Sequence, residues 1–145
     1  MKDEQSIKLE RSVGSTIMLA DADDDNRCLI KSILELQGFF VVEATNGQEA
    51  VDLAVSRRPD LVLIDLKLPV VSGFTAIRRF KRDKTLRDIP IIAISFNRPD
   101  CHEKLALAAG CAAHLQKPIE LDHLDVLIDR LLPGERWQLA SVLVH

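Results

Sequence analysis

The sequence predicts an α/β fold, a five-stranded parallel sheet with helices on both of its faces. Three observations carry this expectation. Five short apolar runs recur along the chain, at 16–20, 39–44, 61–64, 89–95 and 112–115. Segments of helical periodicity lie between and after them, giving β-α five times over. The runs are short and mostly rich in Val, Ile, Leu or Phe, which suits strands buried on both faces.

Each element has its own signals. Residues 1–15 are polar and unpatterned, and a loose arm is expected there. The first helix opens near Asp24, with Leu29, Ile30, Ile33, Leu34 and Leu36 at helical spacing, and Gly38 stops it. Asn46 is placed to cap a helix carrying Ala50, Val51 and Ala54, which ends before Pro59. Ser72 caps a third helix through about Arg82. Pro99 or Asp100 opens a fourth that ends at Gly110. Pro118 precedes a fifth, with Leu121, Leu124, Leu127, Ile128 and Leu131 on one face. Pro133-Gly134 then breaks the chain. The tail 133–145, with Trp137, is too short to be a domain and is expected to pack on the core or on a partner. One domain over 16–132 is expected.

Composition excludes several classes. A net charge of −3 gives no electrostatic reason to expect nucleic-acid binding. No run of apolar residues is long enough to span a membrane, and the charged N-terminal residues are not a signal peptide. Cys28, Cys101 and Cys111 follow no recognisable spacing, so neither a disulfide framework nor a zinc site is expected. Cys111 and His114 lack a second ligand pair. A reducing, cytoplasmic setting is the natural expectation.

Sheets of this kind place their chemistry at the carboxyl ends of the strands. Asp21 follows the first run, Asp65 the third, and Lys117 the fifth; Ser95 ends the fourth. Two carboxylates, a hydroxyl and an ammonium should therefore converge on one rim. Neighbouring carboxylates favour a hard divalent cation such as Mg²⁺. Such a cation and Lys117 would neutralise charge on a phosphoryl group attacked by Asp65, while Ser95 hydrogen-bonds one phosphoryl oxygen.

Four segments, in order, resemble response-regulator receiver domains of two-component signalling from about residue 16 to 132. They are the acidic turn after the first strand, the run from Asp65 through Pro69 to Gly73, the run from Pro90 to Ser95, and the run from Ala109 to Pro118. The resemblance implies a flavodoxin-like strand order, 2-1-3-4-5. It implies that Asp65 accepts a phosphoryl group from a phosphohistidine on a sensor histidine kinase or a histidine phosphotransfer protein. It makes Ser95 the switch hydroxyl and Lys117 the phosphate-contacting lysine. It makes Asp21, Asp65 and the Lys67 backbone carbonyl the metal ligands. It places His114 at the usual aromatic switch position, implies a cis Lys117–Pro118 bond, and puts the output face on helix 4, strand 5 and helix 5. A signalling domain, not an enzyme, is implied.

The chain departs from the family pattern at several positions. Ala22 stands where a metal-ligating acid is usual, so weaker Mg²⁺ binding is expected; Asp23 or Asp24 would have to reach in from the turn. Phe96 replaces a small residue and is expected to narrow access. The Lys67 ammonium is expected over the pocket, where it would partly replace the metal. His114 is smaller than Tyr or Phe and ionisable. These departures support an alternative, a degenerate receiver acting as a phosphorylation-independent interaction module. A further alternative reads Asp21-x-Asp23 as the start of a haloacid-dehalogenase-like phosphatase, but the later acidic pair that family needs is absent.

Overall fold

The computed structural model describes residues 14–96 and 102–132. The expected arm up to residue 13, the fourth helix's opening at Pro99 or Asp100, and the tail with Trp137 lie outside the described residues. Among the described residues ten elements alternate: β1 (Thr16–Ala20), α1 (Asp24–Leu36), β2 (Phe40–Ala44), α2 (Gly47–Arg57), β3 (Leu61–Asp65), α3 (Gly73–Arg82), β4 (Ile91–Phe96), α4 (His102–Ala108), β5 (Ala113–Lys117) and α5 (Leu121–Leu131).

All strands pair in parallel, in the order β2-β1-β3-β4-β5. The period of two along each strand divides the core into two layers. Met18, Ala20, Val62, Ile64, Ile91 and Ala93 face α2, α3 and α4, meeting Ala50, Ala54, Ile77, Phe80 and Ala106. Ile17, Leu19, Leu61, Leu63, Ile92 and Ile94 face α1 and α5, meeting Ile30, Leu34, Leu124, Leu127 and Ile128.

Burial on both faces holds for β1, β3 and β4 but not for β2 and β5, most of whose positions are half-buried or exposed. Both are edge strands, so the helix layers only partly cover them. β4 starts at Ile91 rather than 89, because Pro90 has no N–H and contributes only its carbonyl, to Val62. β5 runs two residues beyond the apolar segment, to Lys117, because it pairs with β4 as far as Phe96.

The local signals are satisfied. At Gly38 (φ 94°), the Phe39 N–H reaches Leu34 O at 3.1 Å and the Gly38 N–H reaches Glu35 O at 3.0 Å, which closes α1. Asn46 Oδ1 accepts the Glu49 N–H at 2.8 Å, and Ser72 Oγ accepts the Thr75 N–H at 3.2 Å. Cys111 is a buried core thiol, its pKa pushed up to about 11 by burial.

The chain leaves β1 toward β2 and later crosses back to β3 on the other side. A crevice opens where the winding reverses, beyond the carboxyl ends of β1 and β3. Asp21 and Asp65 stand at those two ends.

Candidate phosphoacceptor site

A cavity of about 550 Å³ lies over these strand ends. Asp21, Asp65, Ser95 and Lys117 all line it, from four different segments of the chain. Ala22, Asp23, Lys67 and Phe96 also border it.

Asp65 is the last residue of β3 and is 6% exposed. Its Oδ1 accepts the Lys67 N–H at 2.8 Å, and its Oδ2 accepts from Lys117 Nζ at 2.5 Å. The turn that follows is held by Leu66 N–H to Ile94 O and Gly73 N–H to Leu66 O. Gly73 is required there: a Cβ would sit 2.3 Å from Asp65 O and 2.6 Å from Leu66 Cα.

Asp21 is 1% exposed and engaged on every side. Its Oδ1 accepts the Asp23 N–H at 2.8 Å. Its Oδ2 accepts Asn26 Nδ2 at 2.5 Å and lies 3.5 Å from Lys117 Nζ. Arg27 Nη1 donates to its carbonyl at 2.7 Å. Lys117 thus serves both carboxylates. Burial works against its charge, but the hydrogen bond and charge of Asp65, with Asp21 behind, raise its pKa above the ordinary lysine value.

Ser95 is 5% exposed, and its Oγ lies 2.6 Å from His114 Nε2. His114 is half-buried on β5, outside the cavity lining. Burial lowers its pKa; Glu103 opposes that shift and His102 adds to it. Phe96 is exposed, its ring centroid 5.5 Å from Lys117 Nζ. Phe96 and Lys117 also border an adjoining groove of about 390 Å³ with Leu29, Ile33 and Ile119.

The position of Asp23 answers one expectation. It caps α1, its Oδ1 accepting the Asp25 and Asn26 N–H groups at 3.0 and 3.1 Å. Its Oδ1 is thus turned to the helix, while Asp23 still borders the cavity. Asp24 is likewise turned away, paired with Arg27 Nη2 at 2.5 Å. The same geometry disfavours the phosphatase alternative, whose second acid would be Asp23. Lys67 is exposed at the cavity mouth, and among the described residues its ammonium forms no ion pair.

No group of three or more His, Cys, Asp or Glu among the described residues is placed to hold a metal ion. Asp21 and Asp65 remain, two carboxylates around one ammonium. Mg²⁺ keeps several waters and is often held by only one or two carboxylates, so this donor set fits it. The bond Lys117–Pro118 is cis.

Sequence reasoning missed Asn26, Arg27, Phe74 and His102. Asn26 and Arg27 sit in the first turn of α1, and a first helical turn is normally read only for its caps. Phe74 and His102 meet edge-on at the cavity wall, their centroids 6.2 Å apart, and nothing local in the sequence joins them.

Known proteins match this chain in sequence and in fold. The family model of the response regulator receiver domain matches residues 17–129. The polar-differentiation response regulator DivK of Brucella anthropi is 36% identical over 106 residues, covering 73% of this chain and 86% of that protein. The receiver domain of a Pseudomonas aeruginosa sensor histidine kinase is 30% identical with a TM-score of 0.77, covering 83% of this chain and 98% of that one. That structure holds a magnesium ion coordinated in its active-site cleft. A Saccharomyces cerevisiae receiver domain, co-crystallised with a histidine phosphotransfer protein, shares the fold at 23% identity and a TM-score of 0.76, covering 84% of this chain and 91% of that chain. The chain belongs to the response regulator receiver domain family, phosphoacceptor modules of two-component signalling that are signalling domains and not enzymes in the usual sense.

Proposed function

We propose that Asp65 is the phosphoacceptor. One observation carries this reading: Asp65 is a buried carboxylate at the cavity floor whose Oδ2 shares the Lys117 ammonium with Asp21. A carboxylate oxygen of Asp65 attacks the phosphorus of a phosphohistidine on a sensor histidine kinase or phosphotransfer protein. The P–O bond forms as the P–N bond breaks, and the imidazole leaves. Lys117 follows the charge onto the phosphoryl oxygens. Ser95 leaves His114 to donate to one of those oxygens, and the freed imidazole reports the change to β5 and α4. Signalling then passes through the α4–β5–α5 face to a downstream protein.

Asp21, Asp65 and the Lys67 carbonyl would hold Mg²⁺. When bound, the ion neutralises negative charge on the phosphoryl oxygens. With alanine at position 22, the site binds it more weakly than a site with a third acid, and the Lys67 ammonium supplies part of the missing positive charge. The groove beside Phe96 offers an apolar surface to the phosphodonor protein. The working unit is 16–132, with an arm at 1–15 and a tail at 133–145, acting in the cytoplasm.

The test is intact-mass spectrometry after incubation with acetyl phosphate and Mg²⁺, and separately with a phosphorylated histidine kinase. One added phosphoryl group, absent from Asp65→Asn, is expected. No adduct from either donor would overturn the reading in favour of a phosphorylation-independent module.

A further inference from the structure

The sequence between Arg57 and Asp88 holds nine Lys or Arg against four Asp or Glu, while the rest of the chain holds ten against eighteen. Three of the nine have other engagements. Lys67 is at the cavity mouth. Lys81 lays its stem along Gly110 and donates to Arg87 O at 2.9 Å. Arg79 donates to Gln48 Oε1 at 2.8 Å. The other six, Arg57, Arg58, Arg78, Arg82, Lys84 and Arg87, are exposed, and none forms an ion pair among the described residues; Arg78 makes only a long hydrogen bond, from Nη2 to Thr75 Oγ1 at 3.5 Å.

The topology brings them together. α2 and α3 pack against the same face of the sheet and both run back from its carboxyl edge, so their C-termini emerge side by side at the opposite edge. Asp83 lies among the cations. Its Oδ1 accepts the Thr85 N–H at 2.8 Å and the Thr85 hydroxyl at 2.6 Å, and the Arg87 N–H reaches its carbonyl at 2.9 Å. Those Thr85 bonds, with Arg58 as a lesser cause, hold its carboxyl below the usual range. Cations in a last helical turn are favoured by the helix dipole, which accounts for Arg57 and Arg82. It does not account for Arg78 in mid-helix, or for Lys84 and Arg87 beyond it.

We propose that this α2–α3 face docks an acidic segment of a partner protein. Five of the six cations are guanidinium groups, which bind carboxylates through paired hydrogen bonds. Arg78 and Arg82 stand one turn apart, about 6 Å along the axis, the spacing of Glu residues on successive turns of a helix. A long nucleic acid fits less well. The rest of the chain is net acidic and repels a polyanion, and the two aromatic residues of this stretch do not offer a base a stacking face there: Phe80 is buried and Phe74 lines the cavity. The face lies at the pole opposite Asp65, so a docked partner leaves the cavity open.

The full chain is titrated into a fluorescein-labelled helical peptide bearing Glu at every fourth position, and anisotropy is read. Arg78→Glu/Arg82→Glu is expected to weaken binding by about tenfold or more, as is added salt, while Lys104→Glu changes it little. The double variant must retain its circular dichroism melt and its phosphorylation on Asp65. No binding by the wild type, equal binding by a folded double variant, or tighter binding to duplex DNA or phosphatidylserine vesicles than to the peptide would overturn the proposal.

Discussion

Lys117 Nζ lies 2.5 Å from Asp65 Oδ2, so the ends of β5 and β3 are tied together across the end of β4. Replacing Lys117 with Met keeps most of the side-chain volume and removes the charge. Phosphorylation of Asp65 by acetyl phosphate should slow by about 100-fold or more, the usual loss when one preorganised charge donor is removed. A time course by mass spectrometry reads this; an unchanged rate would remove Lys117 from the chemistry.

The Ser95–His114 pair gives a pH prediction. The folded-state pKa of His114 lies below its ordinary value of 6.5, because burial disfavours the imidazolium. The unfolded chain therefore binds the proton more readily. The His114 contribution to stability is full above pH 6.5, declines as the pH falls toward the folded value, and levels off below it. In urea titrations across this window, His114→Gln should flatten the slope relative to the wild type. An identical slope in both proteins would sink the assignment.

Ala22 presents a methyl group to the cavity. Ala22→Asp adds the missing carboxylate and should raise Mg²⁺ affinity by about tenfold, read by isothermal titration calorimetry. The extra carboxylate also adds repulsion near Asp21, so the metal-free variant should be less stable than the wild type. Unchanged affinity would mean that position 22 does not face the ion.

Gly73→Ala puts a methyl carbon against the backbone at Asp65 and Leu66, where no flexible side chain can yield. Overpacking of this kind costs about 1–3 kcal/mol, measurable by urea denaturation. The turn carrying Asp65 should shift with it, so phosphorylation should slow even where the variant is fully folded. A variant with wild-type stability and rate would contradict the close approach.

Val70 has φ 67°, and the Val71 N–H reaches Pro69 O at 2.8 Å, which makes a three-residue turn centred on Val70. A β-branched residue is strained in this region, and Val70 is 82% exposed, so packing does not compensate. Val70→Asn should stabilise the domain by about 1 kcal/mol, since asparagine tolerates left-handed backbone. A lower urea midpoint for the variant would show that the valine contributes a contact that outweighs its strain.

Much of the local structure was legible in the sequence because its causes are local. Gly38 ends α1, and Asn46 and Ser72 cap α2 and α3, through groups only a few residues away. Asp23 admits two readings from sequence. An acid beside a helix start and near a strand end can cap the one or serve the other, and only the direction of its carboxylate, toward Asp25 and Asn26 N–H, decides. The resemblance places His114 at the switch position, but only the pairing of β4 and β5 brings Ser95 to it.

By itself the sequence determined the repeated β-α order, the capping residues, and the placement of Asp21, Asp65, Ser95 and Lys117 at strand ends, because periodicity and turn chemistry act over short spans of chain. Tertiary structure decided which strands are edges and so half-covered, that one ammonium serves two carboxylates, and that Asn26 and Arg27 clamp Asp21. It also gathered the cations of α2 and α3 at the pole opposite Asp65. These are contacts between segments far apart along the chain, or between groups whose orientation the packed core sets, and no local pattern encodes them.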